Sequence, residues 1–307
     1  MFKQIDITLN NIKSEFTIKD LENFSGIKAH TIRIWEKRYN LLEPNRTDSN
    51  IRYYNIDNLL KLLNVSYLNS NGFKISKISE LNESKLKATV RELVSKNGVN
   101  SQASNALKLS MLNFDENLFN VTYNNLIAHS SLRDVFKNVF LPFLDEIGLL
   151  WQVNSITPAH EHFIVNLLQQ KIYINIERLQ LSSPTIFDKV FVLYLPENEI
   201  HELGLLYLHY ELLLHGYQSI YLGQSVPVDN LNDVQKVYDN IYYISYLTVE
   251  PSRISVVEYI ETVNDTVLKD TDSELWLLGR KIIEVDQDFS LINVKMFESI
   301  ELLLKEL

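Results

Sequence analysis

Glu199-Ile200-His201-Glu202-Leu203-Gly204 is the stretch of this chain best equipped to present a metal ligand. An imidazole gives one ring nitrogen to a metal, and a carboxylate on the other nitrogen fixes the tautomer and raises the donor's basicity. Glu199 stands two residues from His201 for that purpose. A lone histidine at a helix start more often serves packing than binding, so the motif needs a setting. Residues 189–195 read as a buried strand just before it, and a helical stretch runs from it to His215-Gly216, where glycine supplies the C-terminal cap. One histidine at a strand-to-helix junction suits a bulky ligand that brings its own metal. A second constellation, Thr31, Arg33, Arg38, Arg46, Arg52 and Tyr53, has the chemistry of a phosphate surface. Arginine forks match phosphate oxygens, and tyrosine donates a hydrogen bond while packing its ring.

The elements that would hold the second constellation are legible. Thr17 and Asp20 form a capping box for a short helix with Ile18, Leu21 and Phe24 on one face. Gly26 makes a tight turn, and residues 28–39 continue as a second helix. Ile27, Ile32 and Trp35 face inward there, while Lys28, His30, Thr31, Arg33 and Lys37 project outward. Pro44 stops the helix, residues 46–54 read as a turn between short strands, and Asn55 caps a further helix ending near Gly72. This is the pattern of a winged helix-turn-helix. The string Gly26-Ile27-Lys28-Ala29-His30-Thr31-Ile32-Arg33-Ile34-Trp35-Glu36-Lys37-Arg38-Tyr39, with Pro44-Asn45-Arg46 and Arg52-Tyr53-Tyr54, closely resembles the MerR-type DNA-binding domain. The resemblance implies that Thr31 and Arg33 lie on the recognition helix, with Arg38, Arg46, Arg52 and Tyr53 at phosphates or in the wing. Trp35 reads as core, since an indole at helical spacing packs.

Residues 86–94 lead away from this head. Helical patterns then follow near 101–111, 115–128, 131–152 and 157–179, joined by short breaks as in an antiparallel four-helix bundle. Beyond it, strand-like runs at 189–195, 219–222, 241–247, 275–278 and 294–297 alternate with helical stretches near 229–238, 252–263 and 298–306. That order predicts a Rossmann-like, doubly wound parallel sheet, whose ligands bind at the carboxyl ends of the strands. His201, Gly223-Gln224-Ser225, Thr248 and Gly279 all fall at such ends. His160 and His162, two apart on a helix, do not share a face and make no metal pair.

Trp151 followed ten and eleven residues later by Glu161-His162 resembles the helical cap of MerR-type cobalamin photoreceptors, the CarH/LitR-like repressors. The resemblance implies that Trp151, Glu161 and His162 cover the upper corrin face and an adenosyl group. Acid-x-His-x-x-Gly resembles the lower-ligand motif of cobalamin-binding domains, which implies His201 as the cobalt ligand, oriented by Glu199. By the same resemblance Gly204 leaves space for the nucleotide tail, and Ser225 and Gly279 line it. Three departures stand out. Glu199 replaces the usual Asp, Arg280 replaces the second glycine of a Gly-Gly pair, and Gln152 stands where light-responsive members often carry a histidine that ligates cobalt after photolysis.

Length suggests about two domains and allows three small ones, and the patterns along the chain divide it at 1–85, 86–185 and 186–307. Glycine and proline total roughly 5% of the residues, which favours long helices. The absence of cysteine excludes disulfides and thiolate zinc sites. Net charge is −10, yet residues 1–80 carry +3 and the remainder −13, a basic head on an acidic body. With no signal pattern and no long apolar run, a soluble cytoplasmic protein is expected. The expected function is a non-enzymatic, DNA-binding transcription regulator controlled by adenosylcobalamin or methylcobalamin and working as a homo-oligomer on double-stranded operator DNA. The alternatives are a regulator whose sensor has lost cobalamin, and a corrinoid carrier protein of a methyltransferase. A carrier has no use for the DNA-reading head.

Overall fold

The computed structural model describes residues 15–47, 50–96, 100–152, 156–286 and 289–307. The chain divides into two compact units, the first running to Leu167 and the second from Leu168 to Leu307.

The first unit opens with the expected capping box. Asp20 N–H donates to the Thr17 hydroxyl, and Thr17 N–H returns the bond to Asp20 at 2.6 Å, starting helix α1 (Ile18–Ser25). Gly26 closes α1 at φ 69°, a left-handed conformation that costs a residue without Cβ nothing. Helix α2 (Ala29–Tyr39) buries Ile32 and Trp35 and exposes His30, Arg33, Lys37 and Arg38. Strands β1 (Asn45–Arg46) and β2 (Arg52–Tyr53) pair antiparallel as the wing. Asn55 caps α3 (Ile56–Ser70), which packs against α1 and, across its other side, against the bundle. Two further helices, α4 (Ile75–Ile78) and α5 (Glu83–Lys96), complete the head.

The bundle consists of α6 (Asn100–Asn113), α7 (Glu116–Ile127), α8 (Leu132–Val135), α9 (Leu141–Gln152) and α10 (Pro158–Gln180). One element differs from the sequence reading. The single helix expected over 131–152 is interrupted by a π turn, Phe136–Phe140. Pro142 lacks the amide that an unbroken α-helix would direct at residue 138, and the wider turn absorbs the defect. It also lets Phe136, Val139, Phe140 and Phe143 all point into the core. Lys108 is buried there and ion-paired with Glu146 at 2.5 Å, which ties α6 to α9.

The second unit is a five-stranded parallel sheet of β3 (Ile186–Tyr194), β4 (Tyr217–Gly223), β5 (Ile241–Tyr246), β6 (Glu274–Leu278) and β7 (Val294–Met296), in the order β4-β3-β5-β6-β7. All five strands coincide with the expected runs. The connecting helices are α11 (Leu203–Leu214), α12 (Asn232–Gln235), α13 (Val256–Val263) and α14 (Ile300–Leu304). The helix expected over 229–238 shrinks to a 3-10 turn, Val228–Leu231, and the four-residue α12. Asp229, Asn230, Asn232 and Asp233 compete with the helix for backbone hydrogen bonds. One sheet face packs Tyr194, Tyr243 and Leu247 against Tyr259 and Ile260 of α13. The other gathers Phe191, Tyr217, Tyr242 and Trp276 in edge-on and tilted contacts. The chain leaves β3 for β4 on one side and then returns to β5 on the other, so the crevice of this sheet opens beside the carboxyl end of β3.

At that edge Gly279 holds φ 103°, and a Cβ there would lie 2.4 Å from the Leu247 carbonyl oxygen. The obstacle is main chain and cannot rotate away. Gly279→Ala is expected to cost more than about 2 kcal/mol in urea unfolding, through strain and clash together; a variant as stable as wild type would show that the β5 and β6 ends are not packed this way.

Candidate functional site

The Glu199 carboxylate is 1% exposed, yet it is fully supplied with donors. Its Oε1 accepts from His201 Nδ1 at 2.6 Å and from the amides of Ile200 and His201 at 2.9 and 3.0 Å. Its Oε2 accepts from the amides of Thr248, Val249 and Glu250 at 3.2, 2.7 and 2.9 Å. Burial pushes this carboxyl's pKa up, but the His201 bond and the amides outweigh it and bring the pKa down to about 2. An ionised carboxylate only accepts, so Nδ1 carries a proton and any metal ligation by this ring goes through Nε2. His201 is 45% exposed, on the loop between β3 and α11. An imidazole oriented through one nitrogen by a carboxylate has the arrangement of a single metal ligand. No cluster of three or more His, Cys, Asp or Glu able to hold a metal occurs among the described residues. Exposed Ile200, Leu222, Val249 and Ile254 lie at the same carboxyl edge and give it apolar surface.

The neighbours of this pair differ from the expectation. Gly204 does not border open space: a Cβ on it would meet the Tyr246 ring at 3.0 Å. Gly279 abuts the Leu247 main chain, and Arg280 is exposed at the start of a 3-10 turn, Arg280–Glu284. Ser225, at φ 55°, accepts from the Asn198 amide at 3.0 Å and so ties the loop after β4 to the loop that carries Glu199. Glu202, adjacent to His201, accepts from Tyr221 and Gln169 at 2.9 and 3.1 Å. The roles of the 248–250 amides, Tyr246 and Tyr221 escaped the sequence reading, because their partners lie tens of residues away and no local pattern marks them.

In the first unit, α10 begins at Pro158, with Glu161 on its first turn, half-buried, and His162 exposed. His160 turns the other way: it stacks on Phe114 at 4.8 Å and accepts from the Thr157 amide, and burial lowers its pKa. The two histidines do not share a face. Trp151 and Gln152 end α9, and their side chains lie outside the described residues.

On the head, Arg33 and Arg38 are exposed along α2, with Arg38 over the Tyr39 ring at 5.5 Å. The Thr31 hydroxyl meets the His30 ring at 3.3 Å. Arg46 is exposed and bonds Asn50 Oδ1 at 2.8 Å across the wing turn, while Tyr53 is half-buried. Arg52 is drawn inward, its Nε 3.6 Å from Glu36 Oε2, and the buried Tyr54 donates to Glu36 Oε1 at 2.5 Å. One carboxylate on α2 thus fixes the base of the wing.

Comparison with known proteins follows this division. Residues 16–85 match the MerR HTH family regulatory protein model, and residues 103–174 match the B12 binding domain model. The HTH-type transcriptional repressor CarH of Myxococcus xanthus is 26% identical over 222 residues, which cover 70% of this chain and 73% of that protein. The HTH-type transcriptional regulator MlrA of Escherichia coli (strain K12) is 32% identical over 66 residues, 22% of this chain and 27% of that protein. The monomethylamine corrinoid protein of Methanosarcina barkeri shares the fold, with a TM-score of 0.51 at 14% identity, over 68% of this chain and 98% of that one.

The depressed pKa of Glu199 has a stability consequence. Its contribution is complete above the ordinary carboxylate value of 4.5 and is lost as the pH falls towards about 2. Glu199→Gln, which turns an amide NH₂ towards main-chain donors, is expected to be about 3 kcal/mol less stable near neutral pH. The gap should narrow once the pH drops below about 4.5. A gap that stays constant into strong acid contradicts the ionised, hydrogen-bonded carboxylate.

Proposed function

We propose that this chain, a transcription regulator that joins a MerR-type helix-turn-helix domain to a B12-binding domain, binds cobalamin through His201 and uses it to set its grip on DNA. The observation that supports this reading is the buried Glu199 carboxylate, which holds Nδ1 of the part-exposed His201 ring at the carboxyl edge of the sheet. Cobalamin would supply a cobalt ion, which accepts an imidazole nitrogen, and His201 would hold it. Glu199 orients the ring, and the apolar edge at Ile200 and Val249 offers surface to a macrocycle. Trp151, Glu161 and His162 are assigned to the upper corrin face on the resemblance of their spacing, with adenosylcobalamin or methylcobalamin as the form bound. Gln152 is a poor cobalt ligand beside imidazole, so illumination is not expected to lock cobalt to that position.

The head contacts operator DNA with Thr31 and Arg33 on α2 and with Arg38, Arg46, Arg52 and Tyr53 around the helix and wing. One small reader makes few contacts, so a symmetric dimer or tetramer on paired half-sites is the working assembly. Cobalamin alters that assembly and hence DNA affinity. The Tyr246 ring against Gly204 favours a second reading, a regulator whose sensor domain holds no cobalamin.

Purified wild-type protein mixed with adenosylcobalamin is expected to keep the cobalamin chromophore through gel filtration, and His201→Ala to lose it or shift its visible spectrum. Wild-type protein that elutes colourless with every cobalamin tested decides for the second reading. For the head, Arg33→Ala and Arg46→Ala should each weaken DNA binding in gel-shift titrations. Each lost phosphate contact should flatten the log–log salt dependence by about one unit. Unchanged affinity and slope remove that arginine from the interface.

A further inference from the structure

The groove beside His201 is closed by the protein's own side chains. Gly204 lies in the first turn of α11, where a Cβ would meet Cε2 and Cζ of Tyr246 at 3.0 Å each. Tyr246 ends β5, directly beside the β3 end that leads to Glu199 and His201. On the other flank of β3, Tyr221 of β4 donates to Glu202 at 2.9 Å, and its ring sits 3.5 Å from where a Cβ on Gly223 would be. The positions where a missing side chain leaves room around the start of α11 are filled by aromatic rings. At the end of β6, Gly279 is closed by the Leu247 main chain.

A ligand gripped through His201 therefore has its contact surface outside this groove, over the carboxyl edge, where Ile200, Val249 and Ile254 are exposed. An aromatic nucleotide appendage entering along Gly204 has to displace the Tyr246 ring first. We propose that Tyr246 is a specificity-determining residue that keeps the lower nucleotide of a corrinoid out of the sheet, so that this chain binds the macrocycle and accepts a tail-less corrinoid at least as well as cobalamin. This rests on the cobalamin reading above and goes further by naming the part of the ligand that is recognised.

The test is a visible-spectrum titration of the full chain with aquocobinamide and aquocobalamin, for wild type, Tyr246→Ala and Tyr246→Ser, with circular dichroism to confirm that each variant is folded. Wild type is expected to bind cobinamide as tightly as cobalamin or more tightly. Removing the ring is expected to strengthen cobalamin binding by about tenfold relative to cobinamide. The wild-type preference needs no variant and stands if both substitutions unsettle the fold. Wild-type protein that binds cobalamin about tenfold more tightly than cobinamide overturns the proposal and leaves the His201 reading intact. Failure of every protein to bind either corrinoid overturns both.

Discussion

The second unit is organised around one buried negative charge. A carboxylate removed from water is tolerated only when its oxygens are met by donors, and Glu199 receives six, five from main chain and one from His201. Three of these bonds come from its own β3–α11 loop, the Ile200 and His201 amides and the His201 ring, and three come from the amides of residues 248–250 beyond β5. The charge therefore stitches the two loops at the carboxyl edge to each other. Having done so, it leaves His201 little freedom in ring orientation or tautomer. The presentation of the His201 ring is a by-product of satisfying a buried anion.

The same device recurs in the head at smaller scale. Glu36 on α2 accepts from Tyr54 and sits beside Arg52, so the wing is anchored to the helix whose outer face bears Arg33. Tyr54 also pairs with Phe16 through main-chain bonds of 2.7 and 2.9 Å, which closes the head at its own beginning. In both units a carboxylate positions a neighbouring cation or imidazole. Its value is preorganisation: a contact whose side chain is already placed loses less freedom on binding.

Glycine positions mark where the sheet's edge differs from a generic ligand groove. Gly204 and Gly279 share the absence of a Cβ but not its use. At Gly279 the left-handed φ and the Leu247 carbonyl demand glycine for backbone reasons alone. At Gly204 the space is taken by a tyrosine ring, a side chain that has rotamers and can be replaced. The first is a constraint of the main chain, the second a matter of side-chain packing.

Much of this was determined by sequence alone, because its causes are local. The Thr17–Asp20 capping box, the Gly26 turn, the buried Ile32 and Trp35 and all five parallel strands rest on spacing, turn chemistry and apolar runs that act within a few residues. The Glu199–His201 contact was legible for the same reason, being two residues long. Where the reading failed locally, a second local preference had won: Pro142 turned one long helix into two with a π turn between, and the Asp/Asn-rich stretch near 229–233 shortened another. Only the tertiary structure decided that Glu199 draws its other donors from residues 248–250, that Ser225 braces the neighbouring loop, and that Tyr246 fills the room beside Gly204. Those contacts join segments on different strands, and which side chains meet across a sheet depends on strand order and register, which no local pattern of residues encodes.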